Sequence, residues 1–258
     1  MTSVRLTLDS PAQLTLFTAE SWSTATSKLG STFSQAASTP EPQSRKDVFK
    51  SHLLKGVTLI RPYDIPRIEA CTDVPDRLIS FSEAMLLRKP DFGAWVHWFE
   101  DDYKYERVWL HYERYRARLK GFAGVISPDF SLYRNLPVAL KIQNTYRNQL
   151  LGARMQIDGM KVIANTRLSE PASIPYALAG IPFESTLAIG LHGCTKSTEN
   201  RPRVLQEIRL ITDLCRPKNF VVYGSDAYGV LDYPQEQGVK VHLFRPDTWK
   251  RSVSRGVA

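Results

Sequence analysis

Short apolar runs recur along most of this chain, each ending in polar residues and most followed by a stretch with helical spacing. The runs are GVTLI at Gly56, LISF at Leu78, AWVHWF at Ala94, FAGVI at Phe122, KVIAN at Lys161, TLAIGL at Thr186, NFVVYG at Asn219 and VKVHLF at Val239. Apolar strands alternating with amphipathic helices are the pattern of βα units and a parallel sheet. About eight strands is the number a closed βα barrel requires. The first two connections, and the one from Gly224 to Gly238, are too short or too rich in proline for a full crossover helix. The pattern therefore predicts an α/β fold, a distorted or incomplete βα (TIM-like) barrel with mostly parallel strands. An open doubly wound sheet is the alternative, because the sequence does not show whether the first and last strands pair.

Three helices are legible. In YKYERVWLHYERYRARLKG the residues Tyr105, Val108, Trp109, Tyr112 and Leu119 share one face, and Gly121 supplies the stop. In SLYRNLPVALKIQNTYRNQLLG, Asn135 is a cap, Pro137 lies in the first turn, and Val138, Ile142, Tyr146 and Leu150 form an apolar stripe. That stripe leaves Gln143, Asn144, Asn148 and Gln149 unexplained, and asparagine competes with the helix for backbone groups. Gln143 and Asn144 are expected to reach a site or order its loop. Asn148 and Gln149 are expected to make solvated or inter-helix polar contacts. The third helix, in TENRPRVLQEIRLITDLCRPKN, turns Val204, Leu205, Ile208, Ile211 and Leu214 inward.

Composition then sets the boundaries. Residues 1–45 are crowded with Ser, Thr, Ala and Pro and read as a flexible lead-in, leaving 46–258 as a single α/β domain. A hydrophobic content of 43% suffices for a substantial core. Cys71, Cys194 and Cys215 are too few for a disulfide framework and form no CxxC pair. No basic-then-apolar leader and no run of about 18 apolar residues is present, so a soluble cytoplasmic protein without membrane association is expected. The net charge of +8 favours phosphate, nucleic acid or an acidic surface as partner. Oligomeric state is not legible.

Parallel βα folds place their chemistry at the carboxyl ends of strands. Here Glu100 and Asp101, Asp129, Asn165 and Arg167, His192 and Gly193, and Ser225 follow successive strands. Strand ends become polar at any surface, so each residue also has a plain structural reading. Glu100 or Asp101 and Asp129 would face each other across one rim, able to share a proton or to hold a divalent metal such as magnesium. The same acids could instead charge the start of the next helix. In AIGLHGCTKSTENR, Gly193 and Lys196 sit between a strand and a helix, as an anion cradle would need, although Walker spacing is absent. His192 is placed to act as a general acid or base. Asp129, His192, Glu100 and Asp101 are thus the catalytic candidates, and Asn144, Asn165, Arg167, Gly193, Lys196 and Ser225 the ligand-binding ones.

The segments GVISPDFSLYRNLPVALKIQNTYRNQLLG, KVIANTRL, STLAIGLHGC and PKNFVVYGS, taken in order, resemble an uncharacterised family of bacterial, phage and mobile-element proteins, domain of unknown function 4417. The resemblance spans about Phe92 to Ser225. It implies carriage on phages, plasmids or integrative elements and carries no activity or catalytic residue with it. Two functions follow as expectations. The first is a βα-barrel enzyme or ligand binder acting on a phosphate-bearing ligand, a nucleotide or a nucleic-acid end, at the strand rim. The second is a non-enzymatic accessory protein that binds nucleic acid or protein through the basic face of Lys104, Arg107, Arg114, Arg116, Arg118 and Lys120.

Overall fold

The computed structural model describes residues 47–194, 198–226 and 228–246. A 3-10 turn at Ser51–Leu54 leads into a two-stranded antiparallel hairpin of β1 (Leu59–Ile60) and β2 (Ile65–Pro66). Then come β3 (Leu78–Ser80), α1 (Phe81–Leu86), β4 (Trp95–His97), α2 (Glu106–Leu110), α3 (Tyr112–Leu119), β5 (Gly124–Ile126) and α4 (Val138–Ile157). The chain continues through β6 (Val162–Asn165), α5 (Ile174–Ala177), β7 (Thr186–Gly190), α6 (Arg201–Cys215), β8 (Asn219–Tyr223), α7 (Asp232–Glu236) and β9 (Lys240–Phe244).

Strands β3 to β9 form one parallel seven-stranded sheet whose spatial order is the chain order. Side chains alternate across it, as the two-residue period of a strand requires. Val96, Val125, Val162, Leu187, Ile189, Phe220 and Val222 point to the main core, which Leu150, Leu151, Ile208 and Ile211 complete from α4 and α6. Trp95, Ile126, Ile163, Ala188 and Val221 point the other way and form a smaller core with Cys71.

The sheet is strongly curled. Three strands separate β4 from β8, so in a flat sheet they would lie about 19 Å apart. Yet the rings of His97 and Tyr223 approach to 4.3 Å between centroids. The architecture is therefore an open, curled half-barrel flanked by helices. Among the described residues β3 and β9 are its edges and do not pair, so the eight-stranded closure of a TIM barrel is not formed. The run GVTLI accounts for the missing strand. It returns on itself at once through β2, because the few residues before Ile65 cannot make a crossover.

Two helices depart from the sequence pattern. The first divides at His111 into α2 and α3, although Tyr105, Val108, Tyr112 and Leu119 are all buried as expected. In α4 the apolar stripe is fully buried only at Leu150, with Ile142 and Tyr146 partly buried against the core. Val138 is 56% exposed, whereas Lys141, Thr145, Asn148 and Gln149 are buried. The first half of α4 packs against loops, whose backbone groups need hydrogen-bonding partners that an apolar stripe would not supply.

Candidate functional site

The carboxyl ends of β3 to β8 open into one cleft of about 590 Å³. Ser80 ends β3, Phe99, Glu100 and Asp101 follow β4, Asp129 follows β5, Arg167 follows β6, His192 follows β7, and Tyr223 ends β8. Five of the sequence candidates, Glu100, Asp101, Asp129, Arg167 and His192, thus line a single space.

Asp129 and Arg167 are its best-organised pair. One Asp129 carboxylate oxygen accepts from Asn165 Nδ2 at 2.7 Å, and the other accepts from Arg167 Nη2 at 3.0 Å. Arg167 also donates to the Gly190 carbonyl at 3.2 Å, and its Nη1 lies 3.7 Å from the Cys194 sulfur. The carboxylate of Asp129 holds the guanidinium firmly charged, against the pull of burial. Glu207, reaching in from α6, accepts from the Leu168 backbone N–H at 2.7 Å. Burial pushes its carboxyl above the usual range, and Arg167 only partly offsets this.

On the other wall, Glu100 accepts from the Ser82 backbone N–H at 2.9 Å, at the start of α1. Asp101 forms a surface ion pair with Lys104 at 3.3 Å and makes no side-chain cap. Their neighbour Asp102 serves the fold, accepting from the Ser131 N–H and hydroxyl and from Tyr105 Oη. Among the described residues no group of three or more His, Cys, Asp or Glu side chains is placed to hold a metal ion. With Asp129 engaged by Arg167, the cleft can offer a cation the carboxylates of Glu100 and Glu83, and that of Asp101 if its exposed ion pair with Lys104 opens.

The remaining candidates sit elsewhere. Asn144 does not line the cleft; its Nδ2 donates to the Ser131 carbonyl at 2.8 Å and so orders the loop behind it. Asn165 does not line the cleft; it is joined to it through its hydrogen bond to Asp129. Gly193, with φ of +80°, occupies an exposed turn, and Ser225 is exposed beyond β8. Lys196 lies outside the described residues.

Phe99, Tyr223 and Gly190 are among the lining residues that escaped the sequence reading. Phe99 and Tyr223 stack at 5.4 Å with planes 17° apart, and Phe99 also stacks on His97. Gly190 makes this possible. A Cβ there would meet the Phe99 ring at 2.6 Å and Arg167 Nη2 at 3.2 Å. A glycine closing an apolar strand, between Ile189 and Leu191, was the available signal.

The basic helix is largely consumed within the fold. Arg118 donates to the Ala84 carbonyl at 2.9 Å and to that of Leu87, satisfying the end of α1. Arg107 covers the Phe81 ring at 5.1 Å, Arg116 lies 3.7 Å from Asp158, and Lys104 is paired with Asp101. No helix among the described residues is long and apolar enough to cross a membrane.

Comparison with known proteins matches residues 57–242 to the family described as Domain of unknown function (DUF4417). The span is wider than the Phe92 to Ser225 expected from the motifs and takes in the hairpin and most of β9. The chain is 31% identical over 192 residues to the Gene 1 protein of Mycobacterium phage L5, covering 72% of this chain and 82% of that protein. It is 29% identical over 170 residues to the Gene 1 protein of Mycobacterium phage D29, covering 64% and 62%. No solved structure matches. Every cleft residue up to Tyr223 falls inside the matched span, and the chain belongs to the phage-associated family Domain of unknown function (DUF4417).

Proposed function

We propose that the strand-end cleft binds a phosphate-bearing ligand, either a nucleotide or a nucleic-acid end, and that the protein is a ligand binder or enzyme acting there. The observation that carries this reading is the convergence of side chains from six consecutive strand ends on one space of about 590 Å³, a size suited to a small molecule. Arg167, oriented by Asp129 and Gly190, is the phosphate-facing group, because a planar guanidinium matches phosphate oxygens. The carboxylates of Glu100 and Asp101 would repel a bare phosphate, so the ligand enters as its magnesium complex. Magnesium typically takes one or two protein carboxylates together with phosphate oxygens, and these two acids are the ones to hold it. His192 then supplies or accepts a proton at the mouth.

The accessory-protein alternative has less support, since Lys104, Arg107, Arg116 and Arg118 are engaged within the fold. Calorimetric titration with inorganic pyrophosphate and magnesium tests the cleft. Binding should weaken in Glu100→Gln and His192→Ala and should require magnesium. Identical affinity in both variants and wild type would remove the cleft from consideration. Asp129→Ala is a poorer test, because it leaves the Arg167 guanidinium without its counter-ion.

A further inference from the structure

Resting on that reading of the cleft, we infer that the ligand carries a heterocyclic base, and that Phe99 and Tyr223 form the surface against which the base stacks. Both rings line the cleft. They lie nearly parallel and stack on one another, with centroids 5.4 Å apart and planes 17° from each other, so a base would extend an existing stack rather than meet a ring edge. Gly190 keeps the floor beside them level: the Phe99 ring and Arg167 Nη2 approach the same point above it, at 2.6 Å and 3.2 Å from where a Cβ would stand. An aromatic surface and a phosphate-binding cation are therefore adjacent, as the two ends of a phosphorylated nucleoside require. Stacking tolerates any base, because every base has a π-face. Preference among bases would come from the acidic wall. Glu83 accepts a bond from the Ser80 hydroxyl. Its remaining lone pairs are suited to amino or imino N–H groups on a base edge. The aromatic pair thus gives a net-acidic cleft a reason to hold an anionic ligand.

Four probes separate this inference from the phosphate reading beneath it: inorganic pyrophosphate, adenosine and guanosine diphosphates, and either nucleoside without phosphate, each titrated by calorimetry in the presence of magnesium. The diphosphates should bind roughly five-fold or more tightly than pyrophosphate, the gain expected of a stacked base. Phe99→Leu and Tyr223→Leu keep an apolar side chain but remove one π-face each. Each should weaken diphosphate binding by a larger factor than it weakens pyrophosphate binding. Equal binding of diphosphates and pyrophosphate to wild type would overturn the base surface while leaving the phosphate reading intact. Binding of nucleoside without binding of pyrophosphate would support the base surface and remove the phosphate reading. Absence of binding by all four probes would overturn both. Because these comparisons are made on wild-type protein, they decide the matter even if a leucine variant fails to fold.

Discussion

Asn148 shows how a single residue can serve the fold while looking like a site residue. Its Oδ1 accepts from the Phe130 N–H at 2.7 Å, and its Nδ2 donates to the Phe130 carbonyl at 3.1 Å. One carboxamide thus satisfies both backbone groups of a buried loop residue, as a neighbouring strand would. Gln149, with its amide nitrogen toward the hairpin, donates to the carbonyls of Pro66 at 2.8 Å and Gly180 at 3.0 Å. The expectation of a solvated or inter-helix contact is corrected for both: each is buried and holds a loop. Asn148→Ala strands one donor and one acceptor, each costing about 1–3 kcal/mol. Urea unfolding should therefore show a loss of roughly 2–6 kcal/mol, with Asn148→Asp intermediate because it retains the acceptor.

At the scale of elements, α4 is seated by close approach to the sheet and tied by charge to α3. A Cβ on Gly152 would meet Ile68 Cδ1 at 2.6 Å and Ser127 Cβ at 2.9 Å. Alanine is the better helix former by about 1 kcal/mol, but overpacking costs about 1–3 kcal/mol. Packing wins, so Gly152→Ala should lower the thermal midpoint rather than raise it. Asp158, which ends α4, accepts from Tyr112 Oη of α3 at 2.7 Å and from Arg154 at 2.6 Å. Burial pushes its carboxyl up, yet the hydrogen bonds from Arg154 and Tyr112 outweigh this and its pKa is lowered overall. A carboxyl with a depressed folded-state pKa contributes stability that is fully present above its unfolded value, near 3.8. That contribution is lost as the pH falls through the lower folded value. Asp158→Asn should therefore be less stable at neutral pH and lose less stability than wild type on acidification below about pH 4, as measured by urea midpoints from about pH 7 to about pH 3.

The whole molecule turns on an incomplete closure. Seven parallel strands in chain order curl until His97 and Tyr223 meet across the concave face, which gathers strand ends that a flat sheet would spread apart. This curl creates the cleft, so occupancy of the cleft should stabilise the half-barrel as a unit. A ligand present at about 100 times its Kd adds about 2.7 kcal/mol. For a chain of this size that corresponds to a rise of roughly 5–11 °C in the thermal midpoint. Scanning calorimetry with saturating magnesium pyrophosphate measures it. A midpoint unmoved by ligand would count against the cleft as a binding site.

Much of this could be read without coordinates. The succession of apolar runs and amphipathic helices determined a parallel α/β fold, because strands buried on both faces must be apolar and crossovers must cover them. The polar residues after the runs pointed to the rim on which the candidate cleft lies, since strand ends meet the surface. The motifs from Gly124 to Ser225 determined the family. Tertiary structure alone decided which strands found partners: GVTLI became a hairpin and the sheet stayed open, because pairing depends on distant segments. It alone decided that α4 buries Lys141, Thr145, Asn148 and Gln149, because the unsatisfied groups lie in loops remote in sequence. It alone brought Phe99, Gly190 and Tyr223 together, because periodicity records whether a residue is buried and not which residue it will touch.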